Sequence, residues 1–527
     1  MKPELSCLWL VSEPVYPRTV FQNLASNLLK EGFAMNIKTT TLSFIVAVCT
    51  CTILAISCKK SKDSSNNSNP PPTSGVKDTS TSVAIDRSTK YQNIDGFGFF
   101  GAQDVWWESA SKMYSDAWAT QVIEDLGLTI WRNEYYPPST PSRGQDADWN
   151  KQKPVVEGLS KIAKEKNVPL KFIFTVWSPP ADMKVALDAD NNPIAGVPHP
   201  QGVRNGGTLD PAKYVEFGNW LADGIQLYKN SGVDVYAISP QNEPFFKQPD
   251  FNSNFYKPQK WYGEMLKNSM PVVKARFPNV KIFGSENMLG IEAGKDRQWF
   301  YHDNLMKDAA ALQNFDIWAV HGYVEGVTPT ATSEMAKLWT TAKNEHMIPS
   351  GKPFWMTETS GYSDSWRDSR VGKAGALDLG MAIHAALYFG NASAWVWWQG
   401  SELGSINEYN LMQGTGKGKK YFVSKQFYRF IRPNAKMVKV TYDEGVKVLA
   451  SAFEHSQMGA FTVVLINNSD KKVKVSLTGE NIPATFDMYV TDGANANCTK
   501  SANPVEKTNI ELPPSSVVTL VNGKVIE

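Results

Sequence analysis

The sequence predicts a (β/α)8 barrel followed by an all-β sandwich, and three observations predict it. From about residue 80, short β-rich apolar runs alternate with longer amphipathic stretches. Eight such runs occur, the number that closes a parallel barrel. After about residue 436 the runs continue but the amphipathic stretches stop, the pattern of a separate all-β module.

Bulk numbers fit this outline. The 527 residues suffice for a large barrel and an accessory module. Hydrophobic residues make up 42% and charged residues 20%, ordinary for a globular chain. The net charge of +2 gives no reason to expect a nucleic-acid partner. Seventeen Trp are either a large core or exposed rings that stack on sugar faces.

The N-terminal region reads as targeting. Residues 1–34 receive no structural assignment, and Met35 is an alternative start. Residues 35–58, "MNIKTTTLSFIVAVCTCTILAISC", have Lys38, an apolar run and small residues before Cys58. That is the pattern of a bacterial lipoprotein signal with Cys58 as the lipidated residue; an uncleaved membrane helix is the alternative. Residues 59–80 are polar, Pro- and Ser-rich, and read as a disordered tether. Cys7, Cys49, Cys51 and Cys498 complete the cysteines, and their placement argues against a disulfide framework.

The barrel is expected over residues 81–435. Residues 81–93, beginning "TSVAIDRS", either add a strand to it or join the β-domain. The eight runs are "IDGFGFFG" (94–101), "LTIWRNEYY" (128–136), "KFIFTVWS" (171–178), "YAISPQNEP" (236–244), "KIFGSE" (281–286), "DIWAVHGY" (316–323), "KPFWMTET" (352–359) and "SAWVWWQG" (393–400). Residues 212–230 and 260–277 carry helical periodicity, the second interrupted by Pro271. An open doubly wound sheet is the competing architecture, but no G-x-G-x-x-G follows the first run. Residues 436–527 form the β-sandwich.

Polar residues gather where these runs end: Arg132, Trp177, Ser178, Asn242, Glu243, Glu286, His321, Tyr323, Glu358 and Gln399. In a barrel those ends converge on one face, where active sites form. Glu243 and Glu358 stand on the fourth and seventh runs. Two carboxylates across one cleft can cleave an acetal, one donating a proton and the other attacking the anomeric carbon. Asn242 is placed to grip a substrate hydroxyl, and Arg132 to keep the attacking group ionised. The plainer reading is a pair of rim salt bridges. Scattered His, no H-E-x-x-H, no G-x-S-x-G turn and no phosphate loop leave neither metal nor cofactor expected. "DADNN" (188–192) reads as a polar turn rather than a calcium loop.

In order along the chain, "IDGFGFFG", "WSPPADMK", "NGGTLDPAKY", "ISPQNEP", "AVHGY", "FWMTET", "AWVWWQ" and "KQFYRFIRPNA" resemble glycoside hydrolase family 30 over about residues 81–527. The resemblance implies a retaining β-glycosidase on a barrel with a side β-domain. It implies Glu243 as acid/base and Glu358 as nucleophile, with Arg132, Trp177, Asn242, His321, Tyr323 and Trp398 lining the −1 subsite. It also implies a cis Trp398–Gln399 peptide. Retention demands carboxyl groups about 5–5.5 Å apart, against about 6.5–9.5 Å for inversion.

The layout is most similar to the family's bacterial xylanases. Members that need a glucuronic acid branch carry an Arg-rich stretch after the eighth strand. Here that stretch is "WWQGSELGSINEYN", with Glu402 and no Arg. Arg367 and Arg370 are the other cations considered for a uronate. The expected substrate is therefore a xylan-type β-linked polysaccharide, with β-1,6-glucan, β-1,6-galactan or a glucosylceramide-like β-glycoside as alternatives. A non-catalytic glycan-binding surface lipoprotein is the reading from another class. The expected partners are the glycan and a membrane reached through the lipid anchor, for an exported monomer.

Overall fold

The computed structural model describes residues 79–101, 114–137, 146–199, 205–247, 252–294, 300–323, 330–370, 372–402 and 404–525. The signal-like segment 35–58, Cys58 and residues 59–78 of the expected tether lie outside them. Thr79 and Ser80, also assigned to the tether, begin the first strand, β1 (Thr79–Asn93). Among the described residues no helix is long and apolar enough to cross a membrane.

The barrel follows. Its strands are β2 (Gly96–Phe100), β3 (Ile130–Glu134), β4 (Lys171–Thr175), β5 (Val235–Ser239), β6 (Lys281–Met288), β7 (Ile317–His321), β8 (Phe354–Glu358) and β9 (Ala394–Trp398). They pair in parallel in chain order, and β9 closes on β2. All eight runs read from the sequence are barrel strands. The expected helices form at Tyr214–Asn230 (α1) and Trp261–Arg276 (α2), with Pro271 inside α2. An antiparallel arm of Lys184–Leu187, Pro193–Pro198 and Thr208–Leu209 follows β4.

Strands covered on both faces need apolar residues on both, and β2, β3, β7 and β8 are buried throughout. The two-residue period then decides what faces the barrel axis. Ile130, Ile173, Ala237, Ile317, Ala319, Trp355, Ala394 and Val396 form the interior cluster. Trp131, Phe172, Phe174, Ile238, Trp318 and Trp397 face the surrounding helices. Against Thr129 and Ile130, β2 offers the glycines Gly96 and Gly98. A Cβ on Gly98 would lie 1.8 Å from the carbonyl oxygen of Ile130. At the lower end Asp95 accepts from Trp355 Nε1 (2.9 Å) and Lys171 Nζ (3.1 Å), fastening opposite sides of the cylinder.

The side domain is one ten-stranded sheet. Its further strands are β10 (Lys436–Tyr442), β11 (Val448–His455), β12 (Ala460–Asn467), β13 (Val473–Thr478), β14 (Thr485–Asp492), β15 (Asn497–Lys500), β16 (Val505–Glu506), β17 (Ile510–Leu512) and β18 (Ser516–Asn522). The order is β15-β14-β18-β12-β11-β10-β1-β13-β17, with β16 on β14. β1 therefore adds no strand to the barrel. It runs antiparallel to β10 and parallel to β13, with Val83 and Ile85 turned inward. Strands far apart in this order share one apolar cluster, Val83, Val440, Val463, Val475, Phe486 and Leu512 among them, so the sheet folds over on itself.

Helix α3 (Ala376–Tyr388) is buried nearly throughout, because barrel and sheet cover opposite sides of it. Gly380 lies against Val423, Val517 and Ile466, and Tyr388 donates to the carbonyl oxygen of Val440 at 3.0 Å.

Replacing Gly98 by Ala forces a methyl group against backbone that cannot yield. The variant is expected to lose about 3 kcal/mol or more of unfolding free energy, read as a lower urea midpoint at an unchanged slope.

Candidate active site

Strand parity delivers most of the site. On β3, Arg132 faces the axis one layer above Ile130; on β7, His321 stands above Ile317 and Ala319; on β9, Trp398 stands above Ala394 and Val396. Phe100, at the end of β2, stacks on Trp398 with ring centroids 4.2 Å apart, and Trp177 lies 6.1 Å from Trp398.

Parity alone would turn Glu358 away. β8 places Trp355 inside, and strict alternation sends position 358 to the helix side. The β7–β8 register slips here: Val320 pairs with Met356 and His321 with Glu358, so Thr357 is the additional residue. Such a bulge re-aims the next side chain. β6 has the same device: Ala319 pairs with Ser285 and Val320 with Asn287, leaving Glu286 unmatched. Glu243 lies beyond β5 in a turn between Pro240 and Pro244, with φ at 43°. Gln241 ties that turn down by donating to the carbonyl oxygens of Trp177 (2.8 Å) and Asn242 (2.7 Å). The Trp398–Gln399 and Gly284–Ser285 peptides are cis.

Arg132 is the hub. Fully buried, it donates from Nη1 to Glu358 Oε2 (2.7 Å), from Nη2 to Asn242 Oδ1 (2.9 Å) and from Nε to Glu286 Oε1 (3.2 Å). Nη2 also lies 2.9 Å from Glu286 Oε1. The rings of Trp177 and Phe100 lie 5.0 and 5.3 Å from its Cζ. Burial opposes the charge, and the Glu286 and Glu358 carboxylates outweigh it.

The two carboxylates of interest have different partners. Glu358 accepts from Arg132 and, at 2.5 Å, from the Tyr323 hydroxyl. Burial and the Glu358 charge push the Tyr323 phenol well above its usual range, so it remains a donor. Glu243 meets His321 Nδ1 at 2.6 Å through Oε1. Burial raises the Glu243 pKa, against the lowering effect of His321, and the nearby Glu358 charge adds to the rise. An oxygen of Glu243 and one of Glu358 lie within 4.8 Å of each other. Burial disfavours charge on His321, but Glu358, Glu243 and Glu286 around it raise its pKa to about 9.

All eight side chains assigned from the sequence motifs thus meet in one cluster. Phe100 and Glu286 complete it. Glu286 ended one of the eight runs in the sequence, which was its only signal; Phe100 lay inside a motif without a distinguishing mark. Among the described residues two groups have atoms close enough to hold a cation, Glu243–His321–Glu358 and Asp303–Glu345–His346. In the first, the imidazole and both carboxylates already bond to protein groups. In the second, Asp303 Oδ1 lies 2.9 Å from His346 Nε2.

Cations near the cleft loops are also engaged. Arg367 donates to Asn468 and Ser515 of the side domain, and Arg370 pairs with Asp368. Lys420 is buried under the loop after β9, over the Trp397 ring, and donates to the carbonyl oxygen of Asn407. Glu402 accepts from Asn407 Nδ2 at 3.1 Å. Asp188 closes the tip of the β4 arm by accepting from the Asn192 backbone at 2.7 Å, a turn as expected.

No family model matches the chain. Glucuronoxylanase XynC of Bacillus subtilis strain 168 is 26% identical over 353 residues, covering 66% of this chain and 72% of the relative. A GH30 endoxylanase structure from Clostridium papyrosolvens C71 superposes with a TM-score of 0.64 at 22% identity, over 84% of this chain and all of that one. In sequence the chain is similar to this glucuronoxylanase, and in fold to a structure named as a GH30 endoxylanase. The endo-β1,6-glucanase BT3312 superposes almost as well, with a TM-score of 0.62 at 19% identity over 84% of this chain and 94% of its own. The fold is therefore shared by structures whose names differ in the glycan they are named for.

His321 provides a direct test of these electrostatics. Its imidazole should stay protonated through neutrality and lose its proton near pH 9, read by NMR of the ring nitrogens. Glu243→Gln removes one carboxylate that favours the cation, so the midpoint should move to lower pH.

Proposed function

We propose that this protein is a retaining β-glycoside hydrolase that cleaves a xylan-type polysaccharide by double displacement. The observation that carries the proposal is the spacing of Glu243 and Glu358, an oxygen of each within 4.8 Å of the other. Carboxylates this close suit direct attack followed by hydrolysis better than the wider separation with which an inverting enzyme makes room for a water.

The roles follow from the partners. Glu358, held by Arg132 and Tyr323, is the nucleophile. It attacks the anomeric carbon while Glu243 gives its proton to the departing glycosidic oxygen. The resulting ester joins sugar and Glu358. Glu243, now ionised, takes a proton from water, whose oxygen attacks the same carbon and frees Glu358 with the original configuration. The imidazolium of His321 donates through Nδ1 to Glu243 Oε1, which leaves Oε2 for the transferred proton. Asn242 turns its carbonyl oxygen to Arg132, and its amide N–H groups are available to a sugar hydroxyl. Trp177, Trp398 and Phe100 supply apolar faces for the ring.

The backbone sugar is assigned from XynC and the endoxylanase, and neutrality from the loop after β9. Glu402 in that loop and the engaged Arg367, Arg370 and Lys420 favour a substrate without an obligatory uronate. β-1,6-Glucan is the second reading, supported by the likeness to BT3312. We place the enzyme outside the cytoplasm, exported through residues 35–58 and lipidated at Cys58; mass analysis of a detergent-extracted mature chain should find a diacylglyceryl group on that cysteine.

Glu243→Gln and Glu358→Gln should each lower hydrolysis by about 10²–10⁴-fold or more. The Glu243 deficit should shrink on aryl glycosides, whose leaving groups need no proton. Proton NMR of the first product should show the β-anomer. Unchanged rates in both variants would sink the assignment, and retention of glycan without released sugar would make the protein a binder. Neutral xylan should be cut as readily as glucuronoxylan; products that always carry a branch at one position would refute that part.

A further inference from the structure

The motifs leave Glu286 without a task, yet the chain distorts a strand to present it. It is the unmatched residue of the β6 bulge, with φ at 59°, a left-handed conformation uncommon outside glycine. Its carboxylate is fully buried. Oε1 lies 2.9 Å from Arg132 Nη2 and 3.7 Å from His321 Nε2. An ordinary structural salt bridge would engage one cation; this carboxylate faces both cations of the site.

We propose that Glu286 is a positioning residue, a fixed counter-charge that orients Arg132 and His321 and keeps the reaction centre neutral through both halves of the double displacement. The proposal rests on the roles of Glu243 and Glu358 given above. At rest Glu243 holds its proton, Glu358 and Glu286 are anions, and Arg132 and His321 are cations, so the charges cancel. After attack Glu358 is a neutral ester and Glu243, having given its proton to the leaving oxygen, is an anion. Glu286 and the two cations are unchanged, and the charges cancel again. Addition of water restores the first state. Without Glu286 one positive charge would stay uncompensated in both states, in a buried site where that is costly.

The surroundings agree. Burial opposes ionisation of Glu286, but Arg132 and His321 reverse it and hold its carboxyl down at about 2. From α2 the Tyr262 phenol faces it; burial and the Glu286 and Glu292 charges push that phenol well above its usual range. The Ser239 hydroxyl at the end of β5 adds to the lowering. Across His321 stand Glu243, Glu358 and Tyr323. Glu292, which burial raises to about 7, is spent on its own loop, accepting from Ser285, Asn287 and the backbone of Tyr301 and His302.

The test is Glu286→Gln, nearly the same shape without the charge. Removing a negative charge makes each neighbour give up its proton earlier. The alkaline limb of kcat/KM and the NMR midpoint of His321 should both move down by about one pH unit or more, and Glu286→Asp should bring both back towards their original positions. A variant that is only less stable, with either titration unmoved, overturns the proposal. Should the Gln variant fail to fold, carboxyl ¹³C NMR of the unaltered protein decides: Glu286 must be ionised throughout the active pH range, and a protonated Glu286 there refutes it. The NMR measurements need no turnover, so failure of the double-displacement reading would appear separately, as a wild type that releases no sugar.

Discussion

A guanidinium with no access to water sets the terms for everything at the barrel mouth. Arg132 is surrounded by protein, and its donors must be met or the cost of burial is unrecovered. Glu286, Glu358 and Asn242 meet them, from two strands and one turn. A buried ion group of this kind does little for stability; well-packed apolar residues of the same volume commonly do as well or better. What it supplies is position. Glu358 cannot swing away from Arg132 without leaving a buried cation short of a partner, so the direction of its free lone pairs is fixed before any ligand arrives.

Delivering three carboxylates to one place takes three departures from regular structure. The bulge at Thr357 changes which way Glu358 points, the bulge at Glu286 does the same on β6, and Glu243 uses a left-handed turn pinned by Gln241. Arg132, His321 and Trp398 need no such device, because regular alternation already sends them inward. The site is thus a rigid lattice of strand positions with a few deliberate displacements, which is how loop-rich faces of barrels acquire precise geometry.

The same division explains what the sequence disclosed. All eight barrel strands were legible, since each is a short apolar run ended by polar residues, and the barrel count followed. Glu243, Glu358 and their neighbours were legible as charged or aromatic groups at run ends. The bulges were not, because nothing in "FWMTET" or "KIFGSE" marks an unmatched residue; that depends on the neighbouring strand. Hence Glu286 was seen but had no role, and nothing in its motif set Phe100 apart. The place of β1 was open for a related reason: alternation in "TSVAID" identifies a strand with one buried face but not the sheet that buries it.

β1 precedes the barrel in the chain yet is clasped between β10 and β13, which follow it. During synthesis from the N-terminus, both edges of this strand wait unpaired until the whole barrel has left the ribosome. The cylinder can close in the meantime, but the side sheet cannot. Completing it joins the two ends of the globular body, so a nascent or prematurely terminated chain carries a bare strand open to pairing with other molecules.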